Sequence, residues 1–226
     1  MSVFRPAGVF LSLAIASALL SPGAESAEPE KGPSGGKAAI APYGKAEVSL
    51  FGVKAEGAKF VYVLDRSGST GGKVLTTAKA EILTSIDKID DVHQFQIVVY
   101  NERPKVFNPA GPNGQLAFGT DANRTEVKRF LGTIEADGGT DHAAALSLAI
   151  RMRPNVIFLL TDGDRPYLNA QDLARIDRVG PGIMIHAIQF GEGAHGDANG
   201  WMAKLARQSG GEYKYVDTSK FEAEAK

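Results

Sequence analysis

The sequence contains no cysteine among its 226 residues. This absence excludes a disulfide framework, cysteine-ligated zinc or iron–sulfur sites, thiol catalysis and lipidation of an N-terminal cysteine. An excess of one charge is also missing, because 25 Lys and Arg residues balance 26 Asp and Glu residues to a formal net charge of −1. That balance argues against a nucleic-acid binder that depends on a strong positive field. The 43% of apolar residues supports a buried core, and the length suggests little more than one domain.

The apolar run near the N-terminus is too short to span a bilayer as a helix. It covers the twelve residues Val9–Leu20, whereas a membrane-spanning helix needs roughly 20. Arg5 precedes the run, and small residues follow it, with a small-x-small cleavage pattern at Ala24 and Ser26. We therefore predict a secretory signal over residues 1–27, an exported protein that is periplasmic or secreted, and no stable membrane span after cleavage. An uncleaved anchor or a buried helix is the alternative.

The rest of the chain divides into a linker, one domain and a short tail. Residues 28–45 carry three prolines and four glycines without apolar periodicity, which indicates a flexible linker. Strand and helix patterns alternate over 46–218, and 219–226 form a tail. The predicted strands are Val48–Val53 (a short edge strand), Lys59–Leu64, Phe95–Tyr100, Val106–Phe107, Val156–Leu160, Ile183–Phe190 and Glu212–Val216. The predicted helices are Val74–Ile89, Asn123–Ile134, Ala143–Met152, Gln171–Val179 and Trp201–Gln208. This alternation predicts an α/β domain with a mostly parallel central sheet and helices on both faces.

Oxygen-bearing side chains follow the buried strands, at the sheet edge where α/β proteins bind ligands. Asp65, Ser67 and Ser69 follow the first buried strand, Asp162 follows the strand VIFLL, and Thr140 precedes the third predicted helix. Alternate residues of a tight loop can turn the same way, so these oxygens can converge on one point. A set of carboxylates and hydroxyls without histidine or thiolate suits Mg²⁺ or Mn²⁺ better than zinc or copper. Only two of these ligands are charged, which leaves a Lewis-acidic ion that can accept a carboxylate from outside.

The same residues resemble the metal-ion-dependent adhesion site of von Willebrand factor type A domains. The resemblance is carried by Asp65-x-Ser67-x-Ser69, by Thr140 within GGTD and by Asp162 within TDGD, and it covers about Glu47 to Val216. It implies a Rossmann-like fold with one antiparallel edge strand, and a divalent cation, usually Mg²⁺, that an acidic residue of a protein partner completes. By the same resemblance, the two serines and the threonine would be direct ligands, and the two aspartates would act directly or through water.

The expected function is therefore metal-dependent protein binding without a catalytic residue, and two alternatives stay open. A metal-dependent hydrolase could use the same site, with Asp164, Glu192 or His195 as a general base. The Ser67–Lys73 loop could instead hold a phosphate or a flavin, as in flavodoxins. Against this second alternative, Asp65 would direct a carboxylate toward the phosphate. Arg66 lies between the proposed ligands in the sequence and is expected at the rim of the site.

Overall fold

The computed structural model of the chain describes residues 44–109 and 115–222. The predicted signal segment 1–27, almost all of the linker 28–45 and the last residues of the tail lie outside the described residues. Their bounds therefore stay predictions. In the described ranges, no helix is both long and apolar enough to cross a membrane.

Nine strands and five α-helices alternate along the described residues. The strands are β1 Ala46–Leu50, β2 Val53–Gly57, β3 Lys59–Asp65, β4 Gln94–Tyr100, β5 Lys105–Val106, β6 Ala117–Phe118, β7 Val156–Thr161, β8 Met184–Gly191 and β9 Tyr213–Asp217. The helices are α1 Lys73–Ile86, α2 Asp121–Gly132, α3 His142–Arg151, α4 Ala170–Val179 and α5 Trp201–Gln208. Short 3₁₀ turns cover Gly68–Thr70 and Thr218–Glu222.

The central sheet has seven strands in the order β5-β4-β3-β7-β8-β9, with β6 paired to the start of β4. Neighbours among β4, β3, β7, β8 and β9 are parallel, whereas β5 and β6 run antiparallel to β4. This confirms the predicted mostly parallel sheet with an antiparallel edge. Because the parallel strands all point the same way, the loops after β3 and β7 meet at one edge of the sheet.

Helices cover both faces of the sheet because the central strands are apolar on both sides. Six of the seven residues of β3 and all six of β7 are buried. Along β3, Tyr62 and Leu64 belong to the cluster that α1 and α2 cover, whereas Val61 and Val63 belong to the cluster that α3, α4 and α5 cover. The alternation of side chains along a strand divides the core into these two layers.

One predicted element is wrong: Val48–Val53 is not an edge strand of the main sheet. Residues 46–57 form an antiparallel hairpin, β1–β2, that pairs only with itself. Its turn is Phe51–Gly52, where both residues have a positive φ. A two-residue turn with this backbone matches the right-handed twist of the two strands that it joins. Residues on both sides of the turn pack into the same core cluster, so the apolar pattern continues through it. For this reason the sequence pattern did not show that the chain reverses direction there.

Candidate metal centre

The predicted ligands meet at the carboxyl-terminal edge of the sheet. Asp65 ends β3 and Asp162 follows β7, and these two strands are paired neighbours in the sheet. An open depression of about 470 Å³ lies beside the loops that follow these strands. Its lining includes Ser67, Ser69 and Thr140, together with Gly68, Gly138, Gly139, Asp164, Arg165 and Tyr167. The structure therefore brings the three hydroxyl groups to one pocket.

Asp65 is buried and directly precedes the serine loop that lines this depression, and both of its carboxylate oxygens accept hydrogen bonds. The backbone N–H of Ser67 donates to Oδ1 at 2.8 Å, and the Thr161 hydroxyl donates to Oδ2 at 2.6 Å. Burial raises the pKa of the Asp65 carboxyl, and these hydrogen bonds act in the opposite direction. A divalent cation at this point would favour the carboxylate form, so the buried Asp65 is suited to a positively charged ligand.

The loop after β3 turns its two serine hydroxyls toward each other. The Oγ atoms of Ser67 and Ser69 are 3.3 Å apart. The buried Thr70 holds the loop in this shape, because its hydroxyl contacts the backbone carbonyl oxygens of Ser67 at 2.9 Å and Asp65 at 3.2 Å. The hydroxyls of alternate residues therefore lie on one side of the loop, as the sequence pattern predicted.

The loop that carries Thr140 is fixed at both of its ends. The Gly68 backbone N–H donates to the Gly138 carbonyl at 3.1 Å, which joins this loop to the serine loop. On the other side, the Asp141 carboxylate caps α3 through the Ala144 backbone N–H at 2.9 Å. Gly138 has a φ of +75°, and a Cβ atom there would lie only 2.9 Å from the Asn101 amide nitrogen, so the position requires glycine.

The loop after β7 holds Asp162 at the side of the depression. Oδ1 of Asp162 accepts the Asp164 backbone N–H at 3.1 Å, and the Asp162 carbonyl accepts the Gln189 amide at 3.0 Å. Asp162 lines a neighbouring depression that shares Asp164 and Tyr167 with the first one. Asp162 is thus adjacent to the three hydroxyls but does not line the same surface.

Sequence reasoning missed a buried network that supports this loop. The Tyr100 hydroxyl is 2.8 Å from Nδ1 of His142, whose Nε2 is 2.9 Å from the Asp164 carbonyl. Since a carbonyl can only accept, the Nε2–H of His142 donates to it. The Trp201 indole N–H donates to the Gly163 carbonyl at 3.1 Å. Thr161 was also missed, although a hydroxyl at the end of an otherwise apolar buried strand was a visible signal.

The residues proposed for the two alternatives are only partly brought to the site. Of the candidate bases, Asp164 lines the depression, whereas Glu192 and His195 are exposed on the loop after β8 and do not line it. Arg66 is not at the rim either. Its guanidinium donates to the Glu135 carbonyl at 3.1 Å, beside a separate depression. The reason is that the side chains of consecutive loop residues point in alternate directions, so the Arg66 side chain points away from those of the proposed ligands.

The chemistry of the donors fits a hard divalent cation. In the part of the chain that the structure describes, no three His, Cys, Asp or Glu side chains form a metal-binding group. The oxygens gathered here belong instead to two carboxylates, two serines and one threonine. Neutral hydroxyls and carboxylates are ligands for Mg²⁺ or Mn²⁺, and nothing in the set favours zinc or copper.

A comparison with known families agrees with this arrangement. The family model described as the von Willebrand factor type A domain matches residues 60–225. The chain belongs to the von Willebrand factor type A domain family. Members of this family generally act in protein interaction and metal-dependent adhesion. This places the chain among protein-interaction modules.

The similar proteins are distant in sequence. An uncharacterized protein of Synechocystis sp. is 25% identical over 164 residues, which cover 69% of this chain and 36% of that protein. Human inter-alpha-trypsin inhibitor heavy chain H4 is 25% identical over 117 residues, which cover 46% of this chain and 12% of that protein. The chain thus spans about a third or less of these relatives. Among solved structures, a von Willebrand factor type A protein from Catenulispora acidiphila superposes with a TM-score of 0.61 at 23% identity, over 80% of this chain and 44% of that one.

Proposed function

We propose that this von Willebrand factor type A domain is exported and binds a protein partner through a divalent cation, Mg²⁺ or Mn²⁺. The proposed ligands are Asp65, Ser67, Ser69, Thr140 and Asp162. The observation that carries the proposal is an open depression lined by three uncharged hydroxyl residues from two loops, next to the buried Asp65, whose carboxylate accepts the Ser67 backbone N–H. A set with so little negative charge leaves a bound ion electrophilic, and the opening gives a carboxylate access to it.

Hydrogen bonds within the chain position the proposed metal ligands. The cation supplies a Lewis-acidic centre when it is bound. Asp65 would hold the cation with a carboxylate whose two oxygens are oriented by the Ser67 backbone N–H and by the Thr161 hydroxyl. The loops that carry Ser69 and Thr140 are joined through the hydrogen bond between Gly68 and Gly138. A site ordered before binding loses little conformational entropy when a ligand arrives.

Three measurements test this proposal. Isothermal titration with Mg²⁺ and Mn²⁺ should show one site, and Asp65→Asn should remove it. Asp177→Asn, an exposed aspartate of α4, is the matched control and should bind metal like the wild type. A pull-down from the native envelope fraction should then retain a partner in Mg²⁺ but not in EDTA. Normal metal binding by Asp65→Asn would contradict the proposed site.

Export and the lack of catalysis are tested separately. Cell fractionation with mass spectrometry of the mature N-terminus should find a chain that starts near residue 28 outside the cytoplasm. Generic phosphate and ester substrates should show no metal-stimulated turnover. Turnover that Asp65→Asn abolishes would instead favour the hydrolase alternative, and a flavin spectrum in the purified protein would favour the flavodoxin-like one.

A further inference from the structure

A second groove lies at the opposite edge of the sheet, where β7 and β8 begin. It has a volume of about 910 Å³ and runs between the carboxyl-terminal ends of α3 and α4. Its apolar lining includes Ile150, Ile183 and Pro154, which are buried, and Val179, whose exposed fraction is 56%. An exposed valine beside a concave apolar floor is a surface that could bury an apolar side chain of another molecule.

Three exposed arginines surround this floor. Arg151 ends α3, Arg153 follows it and Arg175 lies on α4, and all three are exposed. Among the described residues, no carboxylate forms an ion pair with any of them. No Asp or Glu lines the groove. The groove therefore has a local positive charge in a chain whose total charge is −1.

Arg153 occupies a backbone position that favours glycine. Its φ is +50°, directly after the C-cap Met152 of α3, and its N–H donates to the Ile150 carbonyl at 2.9 Å. Helices commonly end with such a left-handed residue, and glycine is usual there because it has no Cβ. In the described residues, Phe51 is the only other non-glycine residue with a positive φ. The turn does not require an arginine, and the exposed Arg153 side chain lies at the lining of the groove.

We propose that this groove binds an acidic peptide segment of a partner protein. Each guanidinium can pair with a carboxylate through two parallel hydrogen bonds, and three unpaired arginines match a segment with several acidic residues. The apolar floor would hold a hydrophobic side chain between these acidic residues. A flat bilayer could contact the rim but not the floor of a concave groove, so a peptide fits better than a lipid surface. This site lies away from the metal centre and would operate without a cation.

The test uses a short fluorescent peptide in which pairs of glutamates alternate with single leucines. Fluorescence polarisation should show saturable binding in EDTA, and a peptide with glutamine in place of glutamate should not bind. Arg153→Gly should weaken binding about tenfold, the cost of one charge-assisted pair. Its melting temperature should be unchanged or higher, because glycine suits the left-handed backbone. Arg178→Ala is the matched control, since Arg178 lies on α4 outside the groove lining, and should bind normally.

Three results would overturn the proposal. Binding that Arg178→Ala weakens as much as Arg153→Gly would show only a general response to charge. Absence of binding to the wild type at low ionic strength would show that the groove has no affinity for acidic segments. Sedimentation with anionic phosphatidylglycerol vesicles, lost in Arg153→Gly, without binding of the peptide, would assign the arginines to a membrane surface. The Asp65→Asn variant should bind the peptide like the wild type, because the groove would operate without a cation. Failure of the proposed metal site is therefore distinguishable from failure of this proposal.

Discussion

The Thr161 hydroxyl donates a 2.6 Å hydrogen bond to Oδ2 of Asp65, although 96 positions separate the two residues in the chain. The same oxygen of Thr161 accepts the Gly163 backbone N–H at 3.0 Å. Thr161 therefore connects the end of β3 to the loop that carries Asp162. It orients a proposed metal ligand without lying in the depression itself.

Thr161→Val should weaken metal binding about 10- to 100-fold, the usual effect of removing a group that orients a metal ligand. The fold should lose about 1–3 kcal/mol, because one buried oxygen of Asp65 loses its donor. Isothermal titration and urea unfolding measure the two effects. Thr125→Val, at an exposed threonine of α2, should change neither by much. Wild-type metal affinity in Thr161→Val would show that Thr161 has only a structural role.

The proposed function predicts that addition of Mg²⁺ stabilises the folded domain, because only the native state would hold the ion. At a free concentration 100 times the dissociation constant, the expected gain is about 2.7 kcal/mol. Thermal denaturation followed by circular dichroism measures this gain, and EDTA should reverse it. Asp65→Asn should show no shift with Mg²⁺. An equal shift in that variant would place the stabilising ion elsewhere.

Gly138→Ala should weaken metal binding, and its loss of folding stability alone should not account for that weakening. The positive φ alone costs about 1–2 kcal/mol, and the new Cβ would also displace Asn101, which supports the Thr140 loop. Gly182→Ala is the control, since Gly182 has a similar φ of +78° and no atom within 4 Å of the added Cβ. Gly138→Ala should lose at least as much stability in urea as Gly182→Ala, and only Gly138→Ala should bind Mn²⁺ more weakly.

His186 should make the domain less stable in mild acid. Burial lowers its pKa below the ordinary value of 6.5, while nearby Glu212 acts in the opposite direction. The ring stacks on Phe158, and its Nδ1 accepts the Glu212 backbone N–H, which suits the neutral form. As the pH falls below about 6.5, the unfolded chain binds the proton first, so the free energy of unfolding decreases until the folded state also becomes protonated.

The check on His186 is urea unfolding at pH 7.5 and pH 5.5, conditions that bracket the ordinary histidine pKa of roughly 6.5. His186→Gln cannot titrate, so its stability should fall less between the two conditions than that of the wild type. Equal losses in the two proteins would show that other groups cause the acid sensitivity.

Much of the sheet was predictable because strand and helix periodicities are local properties. The run from Lys59 to Leu64 is apolar, β-branched and aromatic, which is the pattern of a strand buried on both faces. The hairpin at Phe51–Gly52 was not predictable in the same way. Its two strands place the same kinds of residues in the core, so the apolar pattern does not show where the chain reverses.

The proposed ligands were found from the sequence because a parallel sheet brings the ends of its strands to one edge. Asp65, Ser67 and Asp162 each follow or end a recognisable strand, and this rule needs no coordinates. The direction of Arg66 could not be found in this way, since it depends on the path of one short loop against the Glu135 carbonyl.

The sequence by itself determined the layered α/β fold and predicted the proposed oxygen donors, since both depend on residue type and short-range spacing. Only the tertiary structure decided which of those oxygens are fixed and by what. The contacts of Thr161 with Asp65 and of Tyr100 with His142 join segments 96 and 42 positions apart. The left-handed backbone of Arg153 also depends on how α3 ends against the core. Pairings of this kind follow from the packing of distant segments, and no local pattern encodes them.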